Sequence, residues 1–175
     1  SAGGFHVSRL GAEWSTGLPQ SHYVQQLVHG KSIGATYIAA GGKSLLVDVT
    51  EQLAGTAWGG SRPFQYVGSV GPIVLTSEHT KQLADVGSAL AERFQLHGLF
   101  GVDAIVNDDG VWTVEVNPRY TASVEILERA VDIPAMRWHV EACRHGRLPV
   151  EGVPSARNAI HGKAVVYATH SIVVT

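Results

Sequence analysis

The stretch from Phe100 to Arg119 limits the possible folds of this chain more than any other. Two apolar, β-branched runs, Phe100 to Val106 and Val111 to Val116, flank the polar cluster Asn107-Asp108-Asp109-Gly110. That pattern predicts antiparallel strands joined by a tight turn. A loop of Asp108, Asp109 and Gly110, with Gly110 left-handed, sets Asn107 opposite Val111 and Asp103 opposite Glu115. Strand side chains alternate faces, so Asp103, Glu115 and Asn117 then share one face while Trp112, Val114 and Val116 share the other.

Like charges facing each other across a strand pair destabilise a sheet, so an Asp opposite a Glu needs a physical reason. A divalent cation is one: two carboxylates and an amide carbonyl form a hard, oxygen-only set suited to Mg²⁺ or Mn²⁺ at about 2.1 Å. The alternative is a solvated acidic face with the register off by one. The hairpin pattern alone leaves both open.

Other segments follow from local pattern. His22 to Gly30 reads as a strand ending at a glycine turn, and Ser32 to Ala40 with Ser44 to Thr50 as a hairpin on Gly41-Gly42-Lys43. Gln52 to Arg62 is a glycine-rich loop in which Arg62 is a candidate anion ligand or an ordinary surface arginine; Phe64 to Val70 is a further strand. Thr76 or Ser77 caps a helix running to about His97, with Leu83, Val86, Leu90 and Phe94 as its apolar stripe and Gly98 as its stop. Thr121 or Ser123 caps a short helix to about Val131, Pro134 opens another to Gly146, and Gly162 to Ala168 is a closing strand. The expected class is α+β, an antiparallel sheet flanked by helices.

Composition restricts the partners. The 175 residues carry a net charge of -2, so no basic excess points to nucleic acid. The longest apolar runs fall far short of a bilayer span, and no signal peptide is visible, which makes the cytoplasm the expected compartment. Cys143, the single cysteine, rules out an intramolecular disulfide. His139, Cys143 and His145 are close enough in sequence for a zinc site, or for a partly buried helix face.

The run Gly-Val-Asp-Ala-Ile-Val, a short turn, then Trp-Thr-Val-Glu-Val-Asn-Pro-Arg-Tyr-Thr-Ala-Ser-Val-Glu, from Gly101 to Glu125, resembles the metal-binding core of the ATP-grasp superfamily of carboxylate-amine and carboxylate-thiol ligases. The resemblance implies that Asp103, Glu115 and Asn117 hold the magnesium ions (or Mn²⁺) that bridge ATP phosphates, and that Arg119 contacts the transferred phosphoryl group as the catalytic arginine. It also makes Gly3 and Gly4 part of the glycine-rich loop over the phosphates. Gln25 then faces the adenine amino group, Gln26 and Val28 offer backbone contacts, and Leu27 packs on the ring. Gln25 replaces the usual Glu, and Ser32 stands where relatives often carry a ribose-binding Glu.

The activity this implies is an ATP- and Mg²⁺-dependent ligase that activates a carboxylate as an acyl phosphate for attack by an amine or similar nucleophile. Its partners would be ATP and small carboxylate and amine substrates, with no nucleic acid and no membrane. Two alternatives stand beside it: a catalytically inactive nucleotide-binding or interaction module of the same fold, and a metal or ligand binder that shares only the hairpin. Residues 1–175 are expected to be a partial ATP-grasp domain, truncated at its amino end. In it, 1–50 is the remainder of the ATP-clasping lobe and hinge and 51–175 the metal-binding lobe; an amino-terminal lobe of the same protein is the expected missing partner.

Overall fold

The computed structural model of the chain describes residues 7, 9–10, 22–60, 62–154 and 159–168. Six strands form one sheet: β1 (Lys31–Ala40), β2 (Lys43–Ala54), β3 (Tyr66–Gly71), β4 (Gly98–Asn107), β5 (Gly110–Asn117) and β6 (His161–Ala164). Three helices pack on it, α1 (Ser77–Phe94), α2 (Ala122–Val131) and α3 (Ala135–His145). The strand order is β5-β4-β1-β2-β3-β6, and every neighbouring pair is antiparallel. The expected α+β architecture is therefore what the chain adopts. A division at residue 50 would fall inside β2, near the middle of this sheet.

β1 is buried from Ile33 to Ala40 because both of its faces are covered there. Ile33, Ala35, Tyr37 and Ala39 pack with Phe100, Val102 and the α1 residues Leu83 and Ala91. Ile38 and Ala40 point the other way, into a second core with Val124, Leu127 and Val131 of α2 and Ala135, Trp138 and Ala142 of α3. A sheet filled from both sides leaves few ways for its strands to slip, since a one-residue shift would exchange the two sets of side chains. The β1–β2 turn is Gly41-Gly42 with φ of 57° and 74°, the doubly left-handed turn that suits the twist of a tight hairpin and that glycine adopts freely.

The ends of α1 are set by local chemistry. Thr76 Oγ1 accepts the His79 N–H at 3.1 Å, as an N-cap should. The helix stops at Phe94 rather than at Gly98, because Gln95 takes the left-handed cap at φ 49° and its N–H bonds Ala91 O. Phe94 accordingly leaves the stripe and is 66 % exposed, whereas Leu83 is buried and Val86 and Leu90 pack partly against the core. The expected strand at 22–30 is also corrected: residues 22–29 form no strand and are exposed apart from half-buried Val28. Strand-like composition does not suffice there, since β1 starts only at Lys31, where pairing with Val106 of β4 begins. Among the described residues, no helix is long and apolar enough to cross a membrane.

Candidate active site

The acidic hairpin forms, with a turn one residue shorter than expected. Asn107 pairs with Gly110, so the loop is Asp108-Asp109, and Val106, Ile105 and Ala104 face Val111, Trp112 and Thr113. A register shift then follows between Ala104 and Asp103, where Val114 is the extra residue of a β-bulge. The bulge restores the expected pair: Asp103 faces Glu115, and Gly101 faces Asn117. It also corrects the facing of the outer strand. Val111 and Val116 both pack against the α1-side core, and Trp112 and Val114 are exposed at 39 % and 45 %.

Around Asp103 the side chains converge. Asn117, itself buried, donates from Nδ2 to Asp103 Oδ2 at 3.2 Å. Gln52 donates from Nε2 to Asp103 Oδ1 at 2.7 Å. Arg119 reaches back to donate to Asn117 Oδ1 at 3.0 Å and to Tyr120 O at 3.2 Å. The Asp103 carboxyl is held above the usual carboxylate range, first by burial; the Gln52 donor opposes this, the Glu115 charge adds to it, and Asn117 and Arg119 pull it back. The site is thus a partly buried acid facing a second acid, anchored by neutral amide donors. Its oxygen-only donor set fits a hard divalent cation, which would relieve the Asp103–Glu115 repulsion. Asn117 Oδ1 accepts from Arg119 with one of its two lone pairs, which brings the guanidinium beside the acidic pair.

Just beyond the hairpin lies the start of α2. Thr121 is the N-cap residue without a side-chain capping bond, and Ser123 bonds Thr50 Oγ1 at 2.8 Å, tying the helix to β2. Gly101 and Gly34 leave room for this approach: a Cβ on Gly101 would lie 2.7 Å from Thr121 Cγ2, and one on Gly34 2.7 Å from Ser123 Oγ.

The remaining expected residues sit elsewhere. Gly3 and Gly4 lie outside the described residues. Gln25, Gln26 and Val28 lie in the irregular segment before β1; the next residue, His29, meets the hairpin turn where its carbonyl accepts from Asn107 Nδ2 at 3.0 Å. Arg62 is exposed on its loop. The zinc arrangement does not assemble. His139 Nδ1 accepts the Leu99 N–H at 3.0 Å, His145 turns to Glu141 at 4.0 Å, and no group of three His, Cys, Asp or Glu side chains is poised for a metal among the described residues. Gln52 is the residue that pattern reading passed over, because nothing local marks a glutamine in a glycine-rich stretch as the partner of an aspartate 51 positions away.

An ATP-grasp domain profile matches residues 1–123, and the chain belongs to the ATP-grasp family. Its fold is similar to the biotin carboxylase–beta-gamma-ATP complex from Campylobacter jejuni, with a TM-score of 0.63 and 16% identity over 81% of this chain and 30% of that one. It is likewise similar to the complete multifunctional pyruvate carboxylase from Rhizobium etli, with a TM-score of 0.64 and 17% identity over 81% of this chain and 14% of that one. A third match is the biotin carboxylase domain of the 2-oxoglutarate carboxylase from Hydrogenobacter thermophilus, solved with MgADP, ADP and bicarbonate, with a TM-score of 0.59 and 15% identity over 77% of this chain and 29% of that one. The chain therefore spans less than a third of the length of each.

Proposed function

We propose that this chain is the metal-holding part of an ATP- and Mg²⁺-dependent ligase that activates a carboxylate as an acyl phosphate for attack by an amine or similar nucleophile. The observation that carries the proposal is the Asp103–Glu115 pair, two acids set face to face by a bulge, with the Asn117 amide bonded to Asp103. In this reading Asp103, Glu115 and Asn117 hold the cation, whose contribution when bound is to neutralise charge on the phosphate oxygens. Arg119 sits one hydrogen bond from that set, and in this reading its guanidinium contacts the phosphoryl group and stabilises charge that develops during transfer. No side-chain nucleophile is required, because alignment and electrostatics carry phosphoryl transfer. Gly3, Gly4, Gln25, Gln26 and Val28 are assigned to the nucleotide side of the site, with residues 1–50 as hinge and clasp and an amino-terminal lobe completing the substrate pocket.

Ser32 favours a second reading. Its hydroxyl donates to Gln52 at 3.0 Å and is committed there rather than to a ribose, which suits a module that binds nucleotide without turning it over.

Thermal melting tests the shared part of both readings. ATP with Mg²⁺ at about a hundred times its Kd should stabilise the chain by roughly 2.7 kcal/mol; ATP alone should do much less, and Asp103→Ala should remove the difference. A melting point that ignores Mg²⁺ in the presence of ATP sinks the metal assignment. ADP release that depends on added carboxylates and amines separates the ligase from the binding module.

A further inference from the structure

The Asp103 carboxylate is the end of a chain of polar contacts that crosses three strands. Its Oδ1 accepts from Gln52 Nε2 at 2.7 Å, and Gln52 Oε1 accepts from Ser32 Oγ at 3.0 Å. Asp103 is on β4, Gln52 on β2 and Ser32 on β1, and β1 lies between the other two. Gln52 must therefore pass over β1 to reach the aspartate. It passes at Gly34, which pairs with Asp103 on one side and Thr50 on the other. A Cβ there would stand 3.3 Å from Gln52 Nε2, so the missing side chain keeps the passage open.

A carboxamide has an acceptor end and a donor end, and an ionised carboxylate, which only accepts, takes the donor end. The amide nitrogen is therefore turned to Asp103, and the amide oxygen, left facing β1, accepts from the Ser32 hydroxyl. Asn117 supplies the donor to the other carboxylate oxygen at 3.2 Å, so each oxygen of Asp103 is steered by one neutral N–H group. Neutrality matters. A lysine at this position would compensate the carboxylate and compete with a cation, and a glutamate would add to the repulsion from Glu115. An amide fixes the carboxylate's orientation and leaves its charge unspent.

We propose that Gln52, braced by Ser32, is a positioning residue that presents the Asp103 carboxylate to the divalent cation. The proposal rests on the reading of Asp103 as a cation ligand. Outer-shell partners of this kind typically account for roughly 10- to 100-fold in metal affinity.

The test uses Mn²⁺ as probe, with free Mn²⁺ read from its paramagnetic resonance signal, on the 175-residue chain with and without ATP. Gln52→Met should weaken Mn²⁺ binding by roughly 10- to 100-fold while the variant still melts cooperatively. Ser32→Ala should weaken it measurably but by less than Gln52→Met, because Gln52 keeps its bond to Asp103 and loses only the hydroxyl that braces its oxygen. The double variant should bind no worse than Gln52→Met alone, since Ser32 acts only through Gln52. Losses that multiply in the double variant overturn the Ser32 step, and binding by Gln52→Met within twofold of the unaltered chain overturns the positioning role. If Gln52→Met does not fold, Ser32→Ala decides, and unchanged affinity in it overturns the proposal. No Mn²⁺ binding by the unaltered chain, or binding indifferent to Asp103→Asn, brings down the cation site itself and this inference with it; loss in Asp103→Asn without loss in Gln52→Met brings down only the latter.

Discussion

At the scale of single residues, the Asp103–Glu115 pair sets stability against binding. Burial is the main reason the Asp103 pKa lies above its ordinary value, and Glu115 adds to the rise. A carboxyl with a raised folded-state pKa gives its full contribution while protonated, below the unfolded value, and loses it as the pH climbs through the folded value. The metal-free chain should therefore be penalised at neutral pH. Glu115→Gln removes one source of the penalty: the Asp103 pKa should fall, and metal-free stability at neutral pH should rise by about 0.2–1 kcal/mol, with the gain vanishing in acid. The same substitution should abolish the Mg²⁺-dependent part of the ATP stabilisation. Urea melts with and without Mg²⁺, and a carboxyl titration followed by NMR, measure both signs. A variant that is less stable without metal and unaltered in its Mg²⁺ response would show that the two acids do not share a cation.

At the scale of elements, local pattern located most of the structure, and its failures have specific causes. The two hairpins and three helices were legible because alternation, Gly-Gly and Asp-Gly turns, and capping residues are all short-range signals. The bulge at Val114 was not, since a valine in a β-branched run looks the same whether paired or extruded. The turn is one residue shorter than the pattern predicts and the bulge makes up the difference, so Asp103 faces Glu115 as expected but by another path. Residues 22–29 have strand-like composition, yet a strand needs a neighbouring strand to form its ladder, and among the described residues no ladder includes them. Helix α1 holds a contact that composition also concealed. Gly87 sits mid-helix, where alanine is usually better by roughly 0.5–1 kcal/mol. Here an added Cβ would run into the ring of Tyr37, which is fully buried, stacked on Phe100 at 4.8 Å and bonded through its hydroxyl to Leu83 O at 3.0 Å. With the ring pinned on two sides, Gly87→Ala should destabilise the chain by about 1–3 kcal/mol in chemical denaturation. A neutral or stabilising result would mean that α1 slides on the sheet more freely than this packing allows.

On the scale of the whole molecule, the sheet order decides what can meet. Strands β4, β1 and β2 lie side by side at its centre, which is why Gln52 and Asp103 come together despite their separation in sequence; no periodicity or motif encodes such an encounter. The same order leaves β6 at an edge, paired with β3 alone along four residues, and further contacts tie this segment down. Val165 N donates to Val67 O at 2.7 Å, Lys163 reaches Glu125 of α2 at 2.6 Å, and the Tyr167 hydroxyl bonds Tyr66 O at 2.7 Å. The approach of β6 to β3 depends on Gly68, where a Cβ would collide with the Lys163 carbonyl oxygen, a backbone atom that cannot rotate aside. β1, buried from Ile33 to Ala40 and paired on both edges, has no such dependence. Gly68→Ala should therefore release the edge strand and spare the centre. In hydrogen exchange, the Val165 amide should lose its protection while β1 amides keep theirs, since an edge can open locally at a fraction of the global free energy. Equal loss of protection in β1 and β6 would show instead that the sheet opens as one unit, with the site strands no more secure than the edge.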